Sequence, residues 1–161
     1  MASEAIADED AMRIALGQAR YAAAAGDVPI GAVVIHDGSV IAKAHNERER
    51  AQDPTAHAEI IALRAAAREL SSWRLGECTV VVTLEPCAMC AGALVLARVA
   101  RLVFGATDPK AGACGSLYNL LADPRLNHEV PISRGVLEAD CAQMLTDFFG
   151  RGRAGSMPGP I

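Results

Sequence analysis

Two cysteines, Cys87 and Cys90, stand three residues apart directly after a proline in the stretch TLEPCAMC. Such a C-x-x-C pair can serve as a redox couple, as half of a structural zinc site, or as part of a catalytic metal site. A redox couple is expected in a thioredoxin-like setting, which the β-hairpin pattern earlier in the chain matches poorly. A structural zinc site needs a second paired motif, and Cys78, Cys114 and Cys141 each stand alone.

A third metal ligand is offered by the stretch PTAHAEI, in which His57 and Glu59 open a predicted helix. His57, Cys87 and Cys90 make three protein ligands and leave a fourth position open, which is typical of catalytic zinc. Zinc lowers the pKa of bound water towards about 7, and a neighbouring carboxylate can move the water's proton to a substrate. We therefore predict one Zn²⁺ per chain, with Glu59 as the proton shuttle.

The hydrophobic pattern predicts how the chain brings these motifs together. Buried strands alternate with helices, after a hairpin that turns at Asp37 and Gly38. Helices are predicted at 8–25, 57–70, 87–98, 118–121 (short) and 135–150. Strands are predicted within the hairpin 30–44 and at 78–84, 101–106 and 130–133. The segment 46–56 is predicted to be a polar loop. This order predicts an α/β fold, a three-layer α-β-α sandwich around a five-stranded mixed sheet. Such sheets bind ligands at strand ends that precede helices, where both motifs lie.

The composition is that of one globular domain. With 161 residues, 52% hydrophobic and 21% charged, we predict a domain at 1–150 and a disordered Gly/Pro-rich tail at 151–161. The longest apolar run is too short for a membrane span and the acidic N-terminus does not look like a signal peptide, so we expect a cytoplasmic protein without membrane association. The net charge of −4 disfavours general coating of nucleic acid, so RNA binding would need a local basic patch.

The combination of H-x-E with a later P-C-x-x-C is the signature of zinc deaminases. Further segments from Val28 to Phe149, about three-quarters of the chain, are VPIGAVV, HN, DPTAHAEI, VTLEPCAMCAGAL, VFGATDPKAGACGSL, LNHEV, GVLEADCAQML and FF. With these segments in this order, the chain resembles the bacterial tRNA-specific adenosine deaminases. The resemblance implies a cytidine deaminase-like fold, a homodimer, and conversion of adenosine to inosine at wobble position 34 of an arginine tRNA. The DPKAGACGSL loop and LNHEV favour this substrate.

The same resemblance implies further roles at single positions. Asn46 would hydrogen-bond the flipped base, and Asp108 and Asn127 would contact riboses or neighbouring bases of the tRNA anticodon loop. For all three residues the alternative is a turn-forming role, because asparagine and aspartate are common in turns. Phe149 would stack on a nucleotide, although a phenylalanine in a C-terminal helix more often packs into a core. Glu85 is expected to support a loop by accepting backbone hydrogen bonds.

The sequence offers few basic residues that are placed to contact RNA phosphates. The candidate basic residues are Arg48, Arg50, Lys110, Arg151 and Arg153. Aromatic residues make up only 4% of the chain, so a broad stacking platform for RNA is not expected. A small pocket with a few charges suffices for a single-stranded anticodon loop, because little unpairing is needed.

Two other functions stay open from the sequence alone. A deaminase of a free nucleobase or nucleotide, of guanine or cytosine type, would use the same zinc motifs. A zinc-stabilised RNA-binding module without turnover would hold its metal with four protein ligands, and Glu59 beside an open position argues against it.

Overall fold

A computed structural model describes residues 4–154, with side chains to residue 151. The helices are α1 (Asp8–Ala24), α2 (Arg48–Ala51), α3 (Ala58–Glu69), α4 (Ala88–Ala97) and α5 (Glu138–Ala154), and a 3₁₀ turn covers Leu120–Ala122. The strands are β1 (Gly31–His36), β2 (Ser39–His45), β3 (Cys78–Leu84), β4 (Arg101–Ala106) and β5 (Ile132–Arg134).

The five strands form one mixed sheet in the order β2-β1-β3-β4-β5. β1 is antiparallel to both of its neighbours, whereas β3, β4 and β5 run parallel. The continuous run of β-branched residues in β3 suits a strand covered on both faces, and Val80, Val81 and Val82 are fully buried. The predicted five-stranded mixed sheet is confirmed.

Helices cover both faces of the sheet. α3 and α4 pack on one face in a core that includes Leu94 and Phe104, and α1 and α5 pack on the other with Met12. A Cβ on Gly31 would lie 1.8 Å from the carbonyl oxygen of Ala15, so the glycine permits the close approach of α1 to β1. The three-layer sandwich is therefore confirmed. None of the helices within residues 4–154 is both long and apolar enough to cross a membrane.

Several boundaries differ from the prediction for local reasons. The segment 46–56 is not wholly a loop, because it contains α2. The last helix starts at Glu138 rather than at 135, since Gly135 (φ 80°) and Leu137 (φ 51°) adopt left-handed conformations that a right-handed helix cannot contain. β5 begins at Ile132 rather than at 130, directly after Pro131, which has no N–H to donate to a strand pair.

The C-terminal boundary also shifts. α5 continues to Ala154, so residues 151–154, predicted to belong to a disordered tail, are helical. The remainder of that tail, 155–161, lies outside the described residues.

Candidate active site

Two helix N-termini converge at one end of the sheet. His57 is the N-cap residue of α3 and Cys87 is the N-cap residue of α4. Both have extended backbone conformations, with ψ near 150° and 177°, and neither side chain caps its own helix. Their side chains are therefore available to meet in space, and Cys90 joins them from the first turn of α4. The structure thus brings the three predicted ligands together.

The geometry of the three side chains fits a tetrahedral metal. The Nδ1 atom of His57 lies 3.7 Å from Sγ of Cys87 and 3.5 Å from Sγ of Cys90. Zinc–sulfur bonds of about 2.3 Å and zinc–nitrogen bonds of about 2.0–2.1 Å at a tetrahedral angle separate nitrogen from sulfur by about 3.6 Å. The three ligand atoms all lie within 4.8 Å of one another. The arrangement could hold one metal ion.

The charge state of the ligands also favours a cation. A hydrogen bond from Cys90 lowers the pKa of Cys87 to about 3, which makes Cys87 a thiolate, and the same bond raises the pKa of Cys90. The hydrogen bond to Cys87 raises the pKa of His57, while burial opposes this effect. The N-terminus of α4 adds its positive dipole end next to the thiolate. The Cys87 thiolate thus offers one negatively charged ligand atom to a cation.

Glu59 lies beside the ligands on the second residue of α3. It is only 4% exposed, and burial raises the pKa of its carboxyl group. Hydrogen bonds from its own backbone N–H and from the Cys90 thiol oppose that rise, and the nearby His57 adds to them. A buried carboxyl group beside a predicted ligand thiol is suited to proton transfer.

Asn46 connects β2 to the start of α3. Its side chain is buried, and its Oδ1 atom accepts a hydrogen bond from the N–H of Ala58 at 3.1 Å. Its own N–H donates to the carbonyl of Ile30 at 3.1 Å. Since Ala58 stands between His57 and Glu59, Asn46 caps the helix that carries both residues. Its Nδ2 atom makes no hydrogen bond within residues 4–151, which leaves a donor for a ligand.

Glu85 organises the loop that follows β4. Its carboxylate accepts backbone N–H bonds from Asp108, Cys114 and Ser116, each at 3.1 Å, and a bond from the Ser116 hydroxyl. Burial alone would raise the pKa of Glu85, but these bonds outweigh it and lower the pKa. A Cβ on Gly112 would lie 2.2 Å from Oε2 of Glu85, so only glycine lets the loop wrap this closely. The predicted loop-supporting role of Glu85 is confirmed.

Asp108 is half-buried and takes part in the same loop. Its Oδ1 atom accepts the N–H groups of Lys110 and Ala111 at 3.1 and 3.2 Å, an Asx-type turn. Asn127 is exposed and makes no side-chain hydrogen bond within residues 4–151. The structure thus gives Asp108 a turn function, and contacts of either residue with RNA stay predictions.

Phe149 is 42% exposed and packs edge-to-face on Phe148, with ring centroids 5.4 Å apart. Its ring is therefore accessible, unlike that of a core phenylalanine. Among the basic candidates, Arg48 is half-buried, Arg50, Lys110 and Arg151 are exposed, and the side chain of Arg153 lies outside the described part of the chain. Arg48 lies close enough to His57 for its charge to lower the pKa of that residue, against the larger effect of Cys87.

Sequence reasoning did not select Asp27, which is 1% exposed and caps α2. The stretch GDVP reads as a polar turn after α1, and nothing local indicates that its carboxylate reaches residues more than twenty positions along the chain. The one local sign that the Asp27 side chain is buried is its place directly before the apolar stretch VPIGAVVI.

The chain is similar to deaminases of known sequence and structure. The sequence matches the MafB19-like deaminase family over residues 6–152. It is 51% identical over 142 residues to a tRNA-specific adenosine deaminase of Bacillus subtilis, covering 88% of each chain. A solved structure from a study of A-to-I editing by tRNA:A34 deaminases is 43% identical, with a TM-score of 0.82, covering 84% of this chain and 98% of that one. A guanine deaminase from Nitrosomonas europaea is 26% identical, with a TM-score of 0.74, over 91% and 87%. The cytidine deaminase-like fold is thus confirmed.

Proposed function

The chain belongs to the MafB19-like deaminase family, and from this premise we propose that it converts adenosine to inosine at wobble position 34 of a tRNA. The observation that carries the proposal is the three-ligand group of His57, Cys87 and Cys90 beside the buried carboxyl group of Glu59. The choice of tRNA adenosine as substrate rests on the relatives named above. An arginine tRNA is the expected substrate, from the resemblance of the DPKAGACGSL and LNHEV segments.

One Zn²⁺ per chain would be held by His57, Cys87 and Cys90. Two soft thiolate ligands and one imidazole are a donor set that suits zinc. Zinc in such a site supplies the Lewis acidity that makes water a nucleophile near neutral pH. Three protein ligands, rather than four, would fit a catalytic zinc and not a structural one.

Glu59 would carry the protons. Its carboxylate takes a proton from the attacking water and passes it to N1 of the adenine ring, next to the reacting carbon C6. The second proton of the water then goes to the 6-amino group, so that the C6–N bond breaks and ammonia leaves. Water and adenosine are thereby converted to inosine and ammonia. Burial of Glu59 supports this role, because it raises the pKa of the carboxyl group and so makes the carboxylate a better proton acceptor.

Asn46 would orient the flipped base through its Nδ2 donor, since its Oδ1 is engaged with Ala58. Asp108 and Asn127 would contact the riboses or bases beside the reacting nucleotide, and Phe149 would stack on one of them. The Glu85-supported loop would hold Asp108 for this purpose. These contacts fit an RNA whose bases are unpaired and accessible.

Phosphate groups of the anticodon loop would be met by Arg48, Arg50 and Lys110, a local basic set on a chain of net charge −4. We also propose a homodimer that acts in the cytoplasm on tRNA. α4 supports the dimer, because it is almost wholly apolar and Leu96 on it is 69% exposed.

A substrate panel tests the function. Zinc-loaded protein is incubated separately with an arginine tRNA anticodon stem-loop, free adenosine, guanine and cytosine, and products are identified by mass spectrometry. We expect inosine from the stem-loop and little or no product from the free compounds. Turnover of guanine or cytosine alone would instead indicate a free-base deaminase. Stem-loop binding without any product would indicate an RNA-binding module and would refute the enzyme.

A further inference from the structure

Asp27 is a buried carboxylate that the reaction described above does not use. It is 1% exposed, and its N–H donates to the carbonyl of Ala22 at 2.9 Å, directly after Gly26 in a left-handed conformation (φ 82°). Its Oδ2 atom accepts the N–H groups of Glu49 at 3.1 Å and Arg50 at 3.4 Å. Its Oδ1 atom is buried and has no hydrogen-bond partner among the described residues.

The two N–H groups that Asp27 accepts belong to the second and third residues of α2, the positions that an N-cap side chain usually satisfies. The residue at the N-cap itself, Glu47, makes no such side-chain bond. Asp27 therefore caps α2 from a different part of the chain. Hydrogen bonds from two N–H groups to a carboxylate at a helix N-terminus are stronger than bonds between neutral groups.

The segment 47–55 has little else to hold it. One backbone hydrogen bond joins the two ends of the segment: the N–H of Glu47 donates to the carbonyl of Ala56 at 3.0 Å. This bond lies next to the hydrogen bond between Asn46 and Ala58. Among the hydrogen bonds of the described residues, Asp27 is the one group outside 46–58 that this segment contacts. The segment carries Arg48, half-buried beside the metal ligands, and the exposed Arg50.

We infer that Asp27 is a positioning residue for RNA binding, which fixes α2 and thereby holds its two basic residues, Arg48 and Arg50, where they can contact phosphates of the bound RNA beside the active site. This inference rests on the proposed function for the identity of the ligand. The capping itself does not, and it can be measured on the protein alone. Asp27 touches neither the metal ligands nor Glu59 by any hydrogen bond within residues 4–151, so its effect should be on binding rather than on the chemical step.

The capping is tested first, by amide hydrogen exchange of the RNA-free, zinc-loaded protein. Asp27→Ala should speed exchange at Glu49 and Arg50 at least about tenfold, because their N–H groups lose a charged acceptor. Asp27→Asn is the rescue variant, since its side-chain oxygen can still accept both bonds without the negative charge. Asp10→Ala, which removes an exposed aspartate far from α2, is the matched control. Unchanged exchange in Asp27→Ala would overturn the inference.

The RNA role is tested by kinetics on the anticodon stem-loop at several salt concentrations. Asp27→Ala should raise KM about fivefold or more with kcat within about threefold, and should flatten the salt dependence of KM, as expected when phosphate contacts are lost. Asp27→Asn should restore most of the binding. A double variant, Arg48→Ala with Arg50→Ala, should show the same changes, and adding Asp27→Ala to it should raise KM no further.

If Asp27→Ala raised KM further in the Arg48→Ala, Arg50→Ala background, the two effects would be independent and the inference would be contradicted. A fall in kcat at unchanged KM in Asp27→Ala, or a loss of zinc from that variant, would also contradict it. Failure of the wild-type protein to bind or deaminate any stem-loop would overturn the proposed function and with it the RNA role. In that case the exchange measurement would still decide whether Asp27 holds α2.

Discussion

The Oδ1 atom of Asn46 accepts a hydrogen bond from the backbone N–H of Ala58, so that the residue after β2 caps the helix whose N-terminus carries His57 and Glu59. Asn46 was predicted to contact the base, and the structure adds a second use for the same side chain. The two uses need different atoms. The oxygen is engaged in capping and the amide nitrogen is left for a ligand, which allows them to be separated by substitution.

Asn46→Asp should keep the capping oxygen and remove the amide donor. We expect kcat/KM on the stem-loop to fall tenfold or more, about the value of one hydrogen bond to a buried polar group, while the melting temperature changes little. Asn46→Ala should lose both the activity and about 1 kcal/mol of stability, because the N–H of Ala58 loses its partner. If Asn46→Asp retained more than about a third of wild-type activity, Asn46 would be a capping residue only.

Removal of one ligand should remove the metal. Cys87→Ser should lower the zinc content from one per chain to a small fraction, since serine does not offer the thiolate that Cys87 presents. Atomic absorption or a colorimetric zinc assay measures this directly. Treatment with a chelator should inactivate the wild-type protein, and added zinc should restore it but not the variant.

Cys78→Ala is the matched control for the ligand test. Cys78 is fully buried, burial raises the pKa of its thiol, and it belongs to neither group of described residues that could hold a metal ion. The control should keep its zinc even if its melting temperature falls. Zinc loss in both variants would indicate that unfolding, rather than ligation, explains the result.

The Glu85-supported loop predicts a large loss of stability. Glu85→Ala leaves three backbone N–H groups and the Ser116 hydroxyl without their buried acceptor, which should cost about 3–5 kcal/mol of unfolding free energy. Gly112→Ala should be similarly destabilising, because its Cβ would overlap the carboxylate of Glu85. Urea unfolding measures both, with the exposed Glu129→Ala as the control. A loss below about 1 kcal/mol in Glu85→Ala would contradict the loop's dependence on this residue.

Much of the fold follows from local patterns that the sequence makes visible. The β-branched run 78–84 predicts β3 with the bounds that it has, and the two helix starts at His57 and Cys87 predict where the ligands meet. The start of α5 could not be predicted in this way, because Leu137 adopts a left-handed conformation that leucine rarely takes, so its residue type gives no sign of it. Asp27 was missed because its partners, Glu49 and Arg50, lie more than twenty residues away.

The most direct test of the account compares the wild-type protein with Glu59→Gln, both zinc-loaded, on a complete arginine tRNA with adenosine at position 34. Inosine at that position is quantified over time by nuclease digestion and mass spectrometry, and bound zinc is measured in the same samples. Loss of the proton carrier should slow inosine formation about 10²- to 10⁴-fold while leaving zinc content unchanged. A Glu59→Gln variant that forms inosine at the wild-type rate, or a wild-type protein that forms none, would contradict it.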